Sequence, residues 1–165
     1  MTVAATRPRL RRAGATDVPA LAALYAHSAR ELGPQVYSPE QVIAWQRFAQ
    51  DASAFADYVL TATTWLAEDE QGALGFCGVD ARGEVRSLYV RASVTRQGWG
   101  TVLLAHALEH ERLQDRCSFA AWATPFSLPV FRRAGFALVR TVREPFQGVM
   151  FERYRVAIGR SADDA

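Results

Sequence analysis

The chain has 165 residues, half of them apolar and 22% charged. That is the size and balance of one soluble domain spanning 1–165, with a core that needs no staples. A net charge of +2 is too small to argue for nucleic acid, and no apolar run approaches the roughly 18 residues that a membrane span needs.

The opening MTVAATRPRLRR lacks the apolar stretch of a secretory signal, so a cytoplasmic location is expected. Within it, RPRLRRAG alternates weakly and suits a short first strand. A helix is predicted over 15–33: Thr16 and Asp17 start it, Pro19 lies in its first turn, apolar spacing follows and Gly33 stops it. SPEQVIAWQRFA opens with a capping box, Ser38 as N-cap, Pro39 at the first helical position and Gln41 three residues on. DASAFADYVLTA reads as a third helix. TTWLAED, GALGFCGVD and EVRSLYV follow as three strands separated by short turns.

A helix over 101–113 comes next, then strand SFAAWA, helix PFSLPVFRRAG, and strands ALVRTV and GVMFERYRV. The small polar tail over 158–165 is expected to be disordered. Helices first, then a strand meander, one crossover helix and a closing strand pair make an α/β (α+β) sandwich rather than a doubly wound sheet. Cys77 and Cys117 sit in apolar, strand-like surroundings and are expected as reduced core residues rather than a disulfide. All 19 basic residues are arginine, so the protein offers an acylating reagent no side-chain amine of its own.

The chemistry-bearing stretch is TRQGWGT at 95–101, between the apolar strand VRSLYV and the helix VLLAHALEHERL. Two glycines one residue apart let backbone approach a ligand closely and adopt positive φ. A turn that opens a helix also presents unpaired N–H groups, which suits phosphate or pyrophosphate, although a tight strand-to-helix connection would use the same residues. A Walker loop needs lysine and is excluded; a dinucleotide fingerprint needs a third glycine where Leu103 stands.

LYVRASVTRQGWGTVLL resembles, in order and spacing, the acyl-CoA loop of the GNAT acetyltransferases, with Thr95 where that family usually has Arg or Gln. AAWATPFSLPVFRRAGF resembles the family's later strand–helix–GF segment. YSPEQVIAW and REPFQGVMFERYRV are similar to a bacterial subgroup, so the matches cover most of residues 7–157. The resemblance implies a mixed, mostly antiparallel sheet of about six or seven strands with a splayed central pair and helices on both faces.

It also implies an acyl-CoA-dependent N-acyltransferase whose cosubstrate is acetyl-CoA and whose partner is an amine, acting as monomer or homodimer without nucleic acid or membrane. By the resemblance, the backbone of Leu88, Tyr89 and Val90 pairs with the pantetheine arm, and an N–H there polarises the thioester carbonyl. Arg96, Gln97, Gly98, Trp99, Gly100 and Thr101 cradle the pyrophosphate, Trp99 through its backbone only. Thr124 stands where the family often contacts the cofactor, and equally suits an N-cap before Pro125. Phe131 replaces the tyrosine with which many members protonate the departing thiolate. Glu84 is a candidate base through water or a solvated strand-end charge. Tyr37 and Tyr89 are candidate substrate contacts, with Tyr37 a candidate acid, and residues 33–60 with Tyr37, Trp45 and Phe48 are expected to line the acceptor side.

HALEH, from His106 to His110, matches a zinc-peptidase signature. Residues 103, 104, 107 and 108 make the buried face of that helix, the histidines fall at its edge, and no metal is expected. The alternative to an enzyme is a catalytically weak or inactive CoA-binding module of the same fold, suggested by Phe131.

Overall fold

The computed structural model describes residues 8–159. One seven-stranded sheet runs in the order β1-β2-β3-β4-β5-β7-β6. Its strands are β1 Arg9–Arg12, β2 Ala62–Asp69, β3 Gly72–Asp80, β4 Glu84–Val90, β5 Phe119–Ala123, β6 Ala137–Phe146 and β7 Val149–Ile158. Every neighbouring pair is antiparallel except β4 with β5. Helices α1 Val18–Leu32, α2 Pro39–Arg47 and α3 Ala52–Leu60 cover one face, and α4 Trp99–Arg112 and α5 Leu128–Arg133 cover the other. This is the α/β sandwich that the strand and helix order implies, with the mixed, mostly antiparallel sheet that the family resemblance implies.

Local signals explain most of the elements. The capping box of α2 is present: Gln41 N–H donates to Ser38 Oγ at 3.2 Å, and Ser38 N–H donates to Gln41 Oε1 at 2.9 Å. Asp51 caps α3 by accepting from Ala54 N–H at 2.9 Å. In α1, Leu21, Leu24, Tyr25, Ser28 and Ala29 are buried with the spacing of one helix face. In α4, Leu103, Leu104, Ala107 and Leu108 are buried as the sequence predicts, joined by Glu111.

Gly33 ends α1 as the sequence predicts, with a φ of −50° before a 3-10 turn. Its smallness serves packing, because a Cβ there would sit 2.8 Å from Val42 Cγ2. Three expectations need correction. Cys77 is buried, but Cys117 is exposed in the connection leading to β5, outside the core. Strand β6 continues past Val142 to Phe146, because an edge strand tolerates Pro145. Gln147 (φ 51°) and Gly148 (φ 79°) then make the two-residue turn into β7. Ile158, at the start of the predicted tail, pairs with Phe119 as the last residue of β7; residues 160–165 lie outside the described residues.

Strands β4 and β5 part company. They pair only at Glu84↔Ala120 and Val85↔Ala121. Beyond that point β4 is held by β3 and β5 by β7. The register of β3 with β4 shifts between Gly78 and Val79, so Arg86 is an extra residue in β4. A bulge adds local twist to its strand, and this one sits where β4 turns away from β5. The two strands enclose a wedge-shaped opening that reaches both faces of the sheet.

Candidate active site

The open edge of β4 has a definite polarity. Arg91 N–H donates to Leu74 C=O at 2.7 Å, and the pairs run in register through Val90↔Gly75, Tyr89↔Phe76 and Leu88↔Cys77. By the alternation of an antiparallel ladder, the peptide groups of Tyr89 face β3, whereas those of Arg86, Leu88 and Val90 face the opening. Two carbonyls on that side are already engaged: Tyr58 O–H donates to Arg86 C=O at 2.7 Å, and Ser28 O–H donates to Val90 C=O at 3.0 Å. The N–H groups of Leu88 and Val90 are left for a ligand. Of the three residues the sequence singles out, Leu88 and Val90 therefore offer backbone, and Tyr89 offers its side chain.

Past β4, Arg91 is pinned by an ion pair with Asp69 at 3.1 Å, and Thr95 Oγ1 donates to Ala92 C=O. The glycine turn follows, with Arg96 (φ 64°) and Gly98 (φ 87°) both left-handed. Gly98 is the N-cap of α4 and supplies no capping side chain, so the first N–H groups of the helix stay open. A groove of about 520 Å³ runs along this turn and the edge of β4. Leu88, Tyr89, Val90, Arg96, Gly98, Trp99, Gly100, Thr101 and Thr124 line it; Gln97 does not. The sequence reading missed Ser28, Phe126, Val130 and Arg133, which come from α1 and the α5 region. No acidic side chain lines the groove among the described residues.

Thr124 and Ser127 bond reciprocally: Thr124 N–H donates to Ser127 Oγ at 2.9 Å, and Ser127 N–H donates to Thr124 Oγ1 at 3.2 Å. This closes the turn just before α5, so Thr124 has the capping geometry while also facing the groove. Phe131 is 2% exposed and meets Phe136 edge-on with centroids 5.1 Å apart. It borders a small cavity of about 50 Å³ inside the splay, with Ser87, Leu88, Tyr89, Trp122, Thr124 and Ser127.

On the α1–α3 face a second cleft, of about 260 Å³, opens from the same splay. Tyr37, Trp45 and Phe48, which the sequence places together, line it with Tyr25, Tyr58, Tyr89, Phe146 and Phe151. Trp122, Arg86 and Arg153 complete the walls. Trp45, Tyr89 and Thr124 border groove and cleft alike. Burial pushes the phenols of Tyr25, Tyr37, Tyr58 and Tyr89 above their ordinary range, so all four stay protonated at neutral pH.

Glu84 lies outside all three cavities. Its Oε1 accepts from Arg155 Nη1 at 2.5 Å, at the point where β4 and β5 still pair. His106 and His110 stack edge-on against Trp65, with centroids 4.4 and 5.1 Å away. Burial pushes the Cys77 thiol up to about 12, which makes it a poor nucleophile.

A groove with basic residues, a glycine turn and an open strand edge thus joins a separate aromatic cleft at Trp45, Tyr89 and Thr124. Residues 34–158 match the acetyltransferase (GNAT) domain. The chain belongs to the GNAT acetyltransferase family; it is an N-acetyltransferase, and acetyl-CoA is its cosubstrate. It is 25% identical over 138 residues to the uncharacterized N-acetyltransferase YafP of Escherichia coli K12, covering 84% of this chain and 87% of the relative. Among solved structures it is similar to a GCN5-related N-acetyltransferase from Rhodopseudomonas palustris, with TM-score 0.86 and 20% identity over 96% of this chain and 99% of that one. It is also similar to the PaiA N-acetyltransferase from Thermoplasma acidophilum, solved in complex with coenzyme A, with TM-score 0.73 and 16% identity over 93% and 99% of the two chains.

Proposed function

We propose that the protein moves the acetyl group of acetyl-CoA to the amine of a small molecule or peptide by direct attack. The carrying observation is that groove and cleft meet at Tyr89 and Thr124, which border both. The pantetheine arm adds to the open edge of β4, accepting from the N–H groups of Leu88 and Val90. One of those N–H groups stabilises charge developing on the thioester oxygen. Arg96, Gly98, the Trp99 backbone, Gly100 and Thr101 hold the pyrophosphate on the first turn of α4. The amine comes from the aromatic cleft in near-attack geometry, an effect that needs no covalent enzyme intermediate.

Proton handling follows from what lines the cleft. No carboxylate does so among the described residues, and the buried phenols do not ionise near neutral pH. Glu84, engaged by Arg155, is a structural partner in this proposal, and water takes the ammonium proton. Phe131 cannot donate, so the thiolate leaves with help from water or from the protonated phenol of Tyr37. A thiol pKa near 8.5 makes that departure tolerable. The groove and the cleft together favour turnover over a silent CoA-binding module.

The test combines binding with turnover. Acetyl-CoA at a hundredfold over its dissociation constant should stabilise the fold by roughly 2.7 kcal/mol, and thiol should be released with an amine present. With a working acceptor, kcat/KM should rise with pH along the acceptor's own ammonium titration. Unchanged melting with no calorimetric binding would end the reading.

A further inference from the structure

Within the acetyltransferase reading, on which this inference rests, the cleft on the α1–α3 face has a chemical preference of its own. Its walls are aromatic, from Tyr37, Trp45, Phe48, Tyr58, Phe146 and Phe151, and its charged lining residues are Arg86 and Arg153. No aspartate or glutamate lines it among the described residues. A polyamine or lysine-like acceptor brings a second cation, which this cleft meets with two like charges and no lining carboxylate.

Arg86 is the bulged residue of β4. Its Nη1 donates to Thr61 Oγ1 at 2.7 Å, and its guanidinium lies 5.6 Å from the centroid of the Tyr58 ring. Among the described residues no carboxylate pairs with it. Arg153 stands 5.0 Å over Trp122 and uses Nη1 on Glu144, which leaves the rest of its planar fork of donors for another acceptor. The space, about 260 Å³, is below the roughly 300–1,000 Å³ that drug-sized ligands fill. One amino-acid-sized molecule fits it.

We propose that the acceptor is a small amine with an apolar, ring-bearing body and a carboxylate: the body packs among the aromatics and the carboxylate is held by Arg86 and Arg153. The same two cations disfavour the protonated form of a nearby amine, easing loss of its proton where the cleft holds no base. The amine nitrogen then forms a bond to the acetyl carbon and the carbon–sulfur bond breaks with its electron pair on sulfur. The ammonium gives its proton to water and the thiolate takes one from water or Tyr37. The balance is amine plus acetyl-CoA to acetamide plus CoA thiol.

The experiment compares L-phenylalanine, L-phenylalaninol and spermidine as acceptors, at equal concentrations of unprotonated amine, by thiol release. L-Phenylalaninol keeps the ring and amine but lacks the carboxylate. The expected result is a kcat/KM for phenylalanine roughly 10- to 100-fold above that for phenylalaninol, the size of charge-assisted hydrogen bonds, with spermidine lowest. Arg86→Met and Arg153→Met should each cut the phenylalanine-to-phenylalaninol ratio by about tenfold or more, on the same scale. Arg86 is exposed, so its variant keeps the test usable should loss of Arg153 leave Glu144 unpaired and harm folding. A ratio near one in the wild type, a better rate with spermidine, or no turnover with any of the three while acetyl-CoA still binds would overturn the proposal. Failure to bind acetyl-CoA is a separate result and would sink the acetyltransferase reading beneath it.

Discussion

The two faces of the sheet are built from different materials. Beneath α4 and α5 the core is mostly aliphatic, with Leu74, Val79, Leu103, Leu104, Leu108 and Val156 beside three phenylalanines, Phe119, Phe131 and Phe136. Beneath α1–α3 it is aromatic, and Tyr25 alone meets Trp45, Phe48, Phe55, Tyr58 and Tyr89 within 6.4 Å between centroids. The groove centres on backbone features, an open strand edge, a left-handed turn and a helix start, with side chains from both faces completing it. The cleft on the aromatic face is made of side chains. A ligand shared by a whole family suits a backbone site, whose geometry survives sequence change. An acceptor that differs from member to member suits a side-chain site.

The largest expected effect tests the backbone side. Gly98→Val puts a β-branched side chain at φ 87°, where a Cβ meets nothing within 4 Å. The fold should accommodate it at a cost of about 1–2 kcal/mol of left-handed strain. Because the added atoms enter the groove, acetyl-CoA affinity should fall by roughly 100-fold, about 2.7 kcal/mol. Calorimetric titration beside urea unfolding separates the two. Unchanged affinity in a folded variant would reduce the turn to a mere connection.

A smaller effect is expected where the faces meet. Tyr37→Phe keeps the ring against Trp45 and Phe151 and removes only the hydroxyl. If that phenol protonates the leaving thiolate, single-turnover rates should fall roughly tenfold. This is below the 10²- to 10⁴-fold of typical general-acid catalysis, since a thiolate needs less help. Acetyl-CoA affinity should not move. Phe131→Tyr should raise the same rate or leave it level, because its new hydroxyl can enter the 50 Å³ cavity bordered by Ser87, Thr124 and Ser127. A fall in Phe131→Tyr with cofactor binding intact would show that the splay needs an apolar wedge there and no acid.

What the sequence disclosed follows the same division. The glycine turn, the Ser38–Gln41 capping box and the buried face of α4 are local patterns, and each lies where its spacing indicates. The cleft gathers Tyr25, Tyr58, Arg86, Trp122, Phe146 and Arg153 from six separate elements or their ends. Only strand order brings them together, so no single stretch carries that signal. Trp45 and Phe48 were legible because they share a helical segment with an aromatic neighbour, Tyr37. Leu88 and Val90 were separated from Tyr89 only by the ladder register with β3, which a sequence does not state. Cys117 was misjudged for a related reason: a cysteine before a strand looks the same in sequence whether it serves core or surface.

The smallest effect asks whether the two faces also differ in how they are fastened. On the aromatic face, Arg11 of β1 ties the start of α1 to the sheet. Its guanidinium donates to Asp17 Oδ1 and Oδ2 at 2.8 and 2.9 Å, and to Glu68 Oε1 and Oε2 of β2 at 2.8 and 2.9 Å. Hydrogen bonding to Arg11 holds both carboxylates below their usual range. A depressed folded-state pKa means the contribution is present above the unfolded value, near pH 4, and is lost as pH falls through the folded values. The network is partly solvent-exposed, so screening limits it to about 0.5–1 kcal/mol. Amide exchange, corrected for its intrinsic pH dependence, should therefore show α1 losing a few-fold of protection between neutral pH and about pH 3. Helix α4, which no such network fastens among the described ion pairs, should change less. Its buried Glu111 pairs with Arg116 at the far end, away from the glycine turn. Arg11→Met should remove the difference, leaving α1 equally weakened at both pH values. If α1 and α4 lose protection in parallel in the wild type, the sheet opens as one unit and the two faces differ in chemistry alone.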